Sequence, residues 1–317
     1  MPEQHDRADS LSAVLRIAVT LLTAGAFFGL SFVFVGPAAG PPARAQSAGQ
    51  TVIGEKCQDC HENIVQSFAL DLHGKSAKFL NDSLDAKCER CHGDGRKHIR
   101  TRKAADIINP AKLEAGRANE SCLQCHSRDR ELFDWRGGQH ERTDMSCLSC
   151  HSAHHARAPE AMLASINEAE GCFSCHKEQR KAQYQRSTHL FRTENRLVKV
   201  GCASCHNPHG GEGRKQLRAS SPNGLCYQCH ADKRGPFLWE HDPVQQDCMT
   251  CHTAHGSNQA SLLVRRSHQL CQQCHIHLVP RHSNVAGFSV FTFNRGCVNC
   301  HSQIHGSNHP SGKTFTR

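Results

Sequence analysis

The 317-residue chain holds 20 cysteines and 25 histidines, and every cysteine sits in the same pentapeptide, Cys-X-X-Cys-His. The thiol pairs are Cys57/Cys60, Cys88/Cys91, Cys122/Cys125, Cys147/Cys150, Cys172/Cys175, Cys202/Cys205, Cys226/Cys229, Cys248/Cys251, Cys271/Cys274 and Cys297/Cys300. The histidines that close them are His61, His92, His126, His151, His176, His206, His230, His252, His275 and His301. Two thiols at this spacing can form thioethers with the two vinyl groups of a haem, and the adjoining histidine then reaches the iron as proximal ligand. One CXXC alone would also suit redox or zinc chemistry. With every pair followed by histidine and no cysteine left over, a disulfide framework or a zinc ribbon has no use for the pattern. Ten covalently bound c-type haems are expected, and no catalytic residue.

Each iron then needs a sixth ligand or an open site. Methionine cannot serve ten irons, because only Met145, Met162 and Met249 follow the start residue, and Met249 lies inside a motif. Histidine can. Taking the motifs in consecutive pairs, one further histidine precedes the second motif of each pair and one follows it. The upstream set is His73, His140, His189, His241 and His282; the downstream set is His98, His154, His209, His255 and His305. These ten are the expected distal ligands. His155 is an alternative to His154, and His277 to His282; His268 and His309 are left over.

The offset of the downstream set is informative. His255 follows His252 by three residues, a backbone reach of at most roughly 10 Å. Two axial histidines on one iron have Cα atoms roughly 12–13 Å apart, with the chain obliged to pass around the ring. His255 must therefore serve a haem other than its own, and its recurrence implies haems stapled to one another.

The elements that position these groups are expected to be short. Five dihaem modules follow from the motif pairs, at about residues 50–110, 111–160, 161–214, 215–260 and 261–317, as an irregular repeat. Leu113, Leu163, Leu217 and Leu262 each stand nine residues before a module's first cysteine. Segments such as PEAMLASINEAEGC and NQASLLVRRSHQLC read as short helices delivering that cysteine, with the leucine against a haem face. Trp135 and Trp239, close before His140 and His241, read as haem packing. Aromatic residues make up only 6% of the chain, too few for a conventional core of this length. The expected fold class is a multihaem cytochrome c: mostly irregular with short α-helices, little or no β, elongated, and filled by haem.

Residues Ile17 to Val35 form a nearly unbroken apolar run followed by Ala43-Arg44-Ala45, a small-X-small cleavage site. Residues 1–45 read as a signal peptide, with an uncleaved anchor as the alternative, so the body of the chain (46–317) is exported to the periplasm. The formal charge of +9 would invite a nucleic-acid reading. However, the two propionates of each haem bring about −2 against about +1 for ferric porphyrin. The basic residues are better assigned as propionate partners, and no nucleic acid is expected.

The stretches CYQCHADKRGPFLWEHDPVQQDCMTCHTAHGSN and CVNCHSQIHGSNHPSG, together with the motif array, resemble the exported decahaem cytochromes of the MtrA/DmsE family, which includes the PioA and MtoA type. The resemblance spans essentially the whole mature chain. It implies a periplasmic cytochrome that enters an outer-membrane β-barrel porin and conducts electrons through it to or from an extracellular multihaem cytochrome, with periplasmic or inner-membrane redox partners on the other side. Two other functions compete. A terminal reductase needs one open haem, often marked by CXXCK, and every motif here ends in histidine. A soluble electron store needs no barrel partner. The electron carrier, not an enzyme, is the expectation.

Overall fold

The structure, a computed structural model, describes residues 56–77, 80–189, 200–278 and 296–316. The proposed signal segment and His282 lie outside the described residues. Among those described there are α-helices of four to twelve residues, 3-10 turns and isolated β-bridges, with no strand and no helix long and apolar enough to cross a membrane. The expectation of short helices without sheet is met.

The two motifs of a module are built differently. From the second module onward, the first motif ends or follows a true helix: Ala115–His126, Glu168–Phe173, Pro222–Cys226 and Ser267–His275. Asn167 and Ser221 cap two of these by accepting from the amides of Glu170 and Gly224, as short polar residues do at a helix start. The second motif is a 3-10 turn: Cys147–Ser149, Cys202–Ser204, Cys248–Thr250 and Cys297–Asn299. In both forms the histidine amide donates to the first cysteine's carbonyl, for example His176 to Cys172 and His206 to Cys202, each at 2.9 Å. One helical turn thus carries both thiols and the imidazole.

After each of these 3-10 motifs the chain folds back on itself. Ser152 donates to the Met162 carbonyl, Asn207 to Gln216 and Thr253 to Leu262, all at 2.8 Å, and Gln303 donates to Phe315 at 2.9 Å. Met162, Gln216, Leu262 and Phe315 all have φ between 52° and 55°, a left-handed conformation that costs a non-glycine residue and recurs where a site demands it. This return places Leu163, Leu217 and Leu263 opposite His151, His206 and His252. Leu163 and Leu217 belong to the leucine register read from sequence, whereas Leu263 rather than Leu262 takes the position at the next repeat and Ile108 rather than Leu113 bonds to His92.

Only Ala118, Leu123, Trp135 and Met162 are buried apolar residues among those described. The described side chains do not make a core among themselves.

Candidate haem-ligand site

The structure pairs histidine rings. His61 faces His98, His73 faces His126, His92 faces His154, His140 faces His176, and His151 faces His209. His189 faces His230, His206 faces His255, His241 faces His275, and His252 faces His305. Each pair joins a CXXCH histidine to one of the second set, with centroids 5.8–6.3 Å apart. Two metal–imidazole bonds of about 2 Å, plus roughly 1 Å from nitrogen to centroid on each side, require about 6 Å. The donor set therefore fits a six-coordinate haem iron between each pair of rings.

The pairing has a rule. From the upstream position, His73, His140, His189 and His241 each face the first motif of the following module. From the downstream position, His154, His209, His255 and His305 each face the second motif of the preceding module. His98 has no module before it, and it faces His61 of its own. His255 thus lies against His206 and not against His252, as the reach argument required. His154, rather than His155, faces His92; His155 meets His154 edge-on and is exposed. His277 lies beside His275, which His241 already faces.

Backbone carbonyls fix the imidazoles. His92 Nδ1 donates to the Ile108 carbonyl, His151 to Ala161, His206 to Lys215 and His252 to Ser261, at 2.8–2.9 Å, and His301 donates to Thr314. In the second set, His98 donates to Lys103, His140 to Pro208 and His241 to Ile304. With Nδ1 so engaged, Nε2 is the nitrogen left for a metal. His126 differs: its Nδ1 meets the Asp129 carboxylate at 2.5 Å. Burial holds His73, His154, His189, His209 and His255 below the usual imidazole range, and the facing ring adds to it. At His305 burial, Lys233 and His252 act together. All favour the neutral form that binds metal.

Consecutive modules are bolted together at the downstream histidines. Ser187 and Ser257 exchange backbone hydrogen bonds at 2.8 Å, and Trp239 and Ser307 do so at 2.9 Å. Gln183 donates to the His255 carbonyl and Asn207 to the Glu131 carbonyl. After His209, His255 and His305 the next residue is glycine, which this approach needs. A Cβ on Gly210, Gly256 or Gly306 would lie 2.1–2.2 Å from the Asp134 carbonyl, the Ala182 carbonyl or the Phe237 ring. Sequence reasoning used the repeated HGSN for its histidine and missed its glycine.

It also missed the clamps within modules. Asn119 accepts from the Cys147 amide at 2.7 Å and donates to the Met145 carbonyl; Asn223 accepts from the Cys248 amide at 2.7 Å and donates to Val244. Asp85 accepts from the Cys57 amide in the first module, and Glu168 from the Ala203 amide in the third. In every module the first thiols of the two motifs lie close enough to influence each other: Cys57 and Cys88, Cys122 and Cys147, Cys172 and Cys202, Cys226 and Cys248, and Cys271 and Cys297. These thiols stand for the thioether sulfurs of the haem-loaded protein.

In most motifs the two thiols differ in exposure. The first cysteine is half-buried in every motif, because its sulfur packs on the first cysteine of the partner motif. The second cysteine points away from that contact. Cys60, Cys91, Cys125, Cys150, Cys175, Cys229, Cys274 and Cys300 are exposed, and only Cys205 and Cys251 are half-buried. Second cysteines approach one another across module boundaries instead: Cys91 and Cys125, Cys150 and Cys175, Cys205 and Cys229, Cys251 and Cys274. Cys175 also accepts a weak hydrogen bond from the Ser174 hydroxyl at 3.7 Å. Cys60 and Cys300 belong to the first and last motifs, which have no such boundary to face. These exposed thiols are open to addition across a haem vinyl group. The buried Trp239 Nε1 has no hydrogen-bond partner among the described residues and suits a haem carboxylate.

The doubled CXXCH motif family matches residues 196–235 and 241–278, each span covering the second motif of one module and the first of the next. The family described as cytochrome c-type protein NrfB-like matches residues 88–170. The chain is 39% identical over 278 residues to the multiheme cytochrome MtrA of Shewanella baltica (strain OS185), covering 83% of this chain and 81% of that protein. It is 29% identical over 171 residues to the cytochrome c-type protein NrfB of Escherichia coli O6:H1, covering 51% of this chain and 88% of the relative.

Proposed function

Because the chain belongs to the MtrA family of multihaem c-type cytochromes, we propose that it is a periplasmic decahaem electron-transfer protein. In this reading it relays electrons along ten bis-histidine haems, through an outer-membrane β-barrel partner, to or from an extracellular multihaem cytochrome. The carrying observation is the ring pairing, in which the second histidine of a haem comes from a neighbouring module. The haems supply reversible one-electron iron couples when bound. What the chain supplies is order: thioether cysteines fix each porphyrin, His61, His92 and their counterparts hold one axial position, and the second set holds the other while tying modules together. His282, outside the described residues, keeps its place from the sequence as a distal ligand, with His277 as the alternative.

Each CXXCH histidine described with a facing ring has both axial positions committed, so it leaves no place for a substrate on iron, which favours a carrier over a reductase. The porin reading rests on the family. Its test is co-purification with a candidate barrel protein, followed by reconstitution into liposomes holding a redox dye and addition of a donor outside. Dye reduction that needs both proteins is expected; a pair that passes no electrons ends the conduit reading. A haem assay giving ten per chain tests the count.

A further inference from the structure

Two ring pairs differ from the rest. His73 and His126 cross at 64°, and His140 and His176 at 63°, whereas the other seven pairs lie within 17–26° of parallel. The crossed pairs differ in the group that meets an imidazole Nδ1. His126 Nδ1 faces the Asp129 carboxylate, while in the other pair His140 Nδ1 faces the neutral Pro208 carbonyl. Asp129 is held in place by its own backbone, whose amide donates to the His126 carbonyl at 3.1 Å while its carbonyl accepts from Leu132 at 2.9 Å. The corresponding positions after His61, His176, His230 and His275 are Ile64, Gln179, Lys233 and Leu278, so this carboxylate belongs to one motif.

We propose that Asp129 is a positioning residue that sets the potential of one haem, holding the haem on Cys122, Cys125 and His126 below the haem on His176. The inference rests on the ligand reading of His126 given above. A ring bound to metal through Nε2 carries its proton on Nδ1 and donates it to Asp129 Oδ2. The carboxylate draws that proton towards itself and makes Nε2 a stronger donor, as outer partners of metal-bound histidines do. Negative charge beside the ligand also favours Fe(III) over Fe(II). The His126 and Asp129 side chains are 42% and 46% exposed, so solvent screens part of the effect without changing its sign. The pair gives the wire a built-in step in potential at its third site.

The test uses the complete holoprotein and EPR at poised potentials. Crossed imidazole planes spread π-donation evenly over the two iron dπ orbitals, leaving strongly anisotropic low-spin signals that separate from those of near-parallel pairs. His73→Ala should remove the signal of the His126 haem and His140→Ala that of the His176 haem, which assigns them. In the wild type the His126 signal should be lost at the lower potential. Asp129→Asn should move that one signal upward towards the other, with haem content and the remaining signals unchanged, while Asp129→Glu keeps it low. Unchanged midpoints in Asp129→Asn, or loss of haem and movement of several signals together, would overturn the proposal. A wild type in which the His126 haem is high-spin would instead remove the ligand reading, and the inference with it.

Discussion

The His255 ring lies 6.1 Å from the ring of His206, a CXXCH histidine of the preceding module, with their planes 20° apart. His252, only three residues before His255, faces His305 of the following module instead. Removing one distal histidine should therefore open a haem in a different module. His255→Ala is expected to give one high-spin ferric haem at His206 and none at His252, while His305→Ala opens the site at His252. EPR and exogenous ligand binding, combined with a thioether knockout at Cys202 and Cys205 to identify the haem, check this. A high-spin haem at His252 in His255→Ala would mean the ring pairs are not ligand pairs.

The angles between ring planes make a second prediction that needs no mutation. Of the nine described pairs, only His73/His126 and His140/His176 are crossed, at 64° and 63°. Two haems among these nine should give strongly anisotropic low-spin signals in the fully oxidised protein, and seven should give ordinary rhombic ones. Quantitative low-temperature EPR on the holoprotein decides it, and a spectrum of rhombic signals alone counts against the geometry.

What could be read from sequence follows from how local each piece of chemistry is. Haem attachment occupies five contiguous residues, so Cys57 through His301 were legible at once. The second set of histidines was legible as repeated spacing, and reach alone kept His255 from its own haem. The partner of each ring was not legible, since His206 and His252 are identical in type and only the packing of one module on the next selects between them. The same holds for the thiols: nothing in CFSCH tells half-buried Cys172 from exposed Cys175, because the difference comes from Cys202, thirty residues on. Asn119 and Asn223 gave no signal, because a single asparagine on a helix is ordinary until its Cys147 or Cys248 partner is seen. Gly210, Gly256 and Gly306 stand in plain view after His209, His255 and His305, yet their role depends on a carbonyl or ring in another module.

Those glycines carry a third prediction. Gly210 has φ of +124°, and a Cβ there would lie 2.2 Å from the Asp134 carbonyl oxygen. Gly210→Ala should destabilise the holoprotein by about 1–3 kcal/mol through overpacking, seen as a lower denaturation midpoint. It should also loosen the neighbouring histidine, exposing the His151 haem to added cyanide. Gly116, inside the helix Ala115–His126, has nothing within 4 Å of its would-be Cβ. There the same substitution should be neutral or stabilise by about 0.5–1 kcal/mol.

A final prediction concerns the chain without haem. Ordering a residue's backbone costs about 1–2 kcal/mol, and the described residues set against this only four buried apolar side chains: Ala118, Leu123, Trp135 and Met162. The helices are also short, at most twelve residues, below the length at which helices persist alone in water. The polypeptide cannot meet that entropy by itself, so haem attachment must precede or accompany folding, as metal binding does in small metallo-domains. Produced without the haem-attachment machinery, the chain should lack cooperative unfolding and be cleaved rapidly by protease. Its tryptophans, Trp135 and Trp239, should emit as in water, whereas in the holoprotein nearby haem quenches them. A haem-free chain that melts cooperatively with buried tryptophan emission would show that the polypeptide has a core of its own.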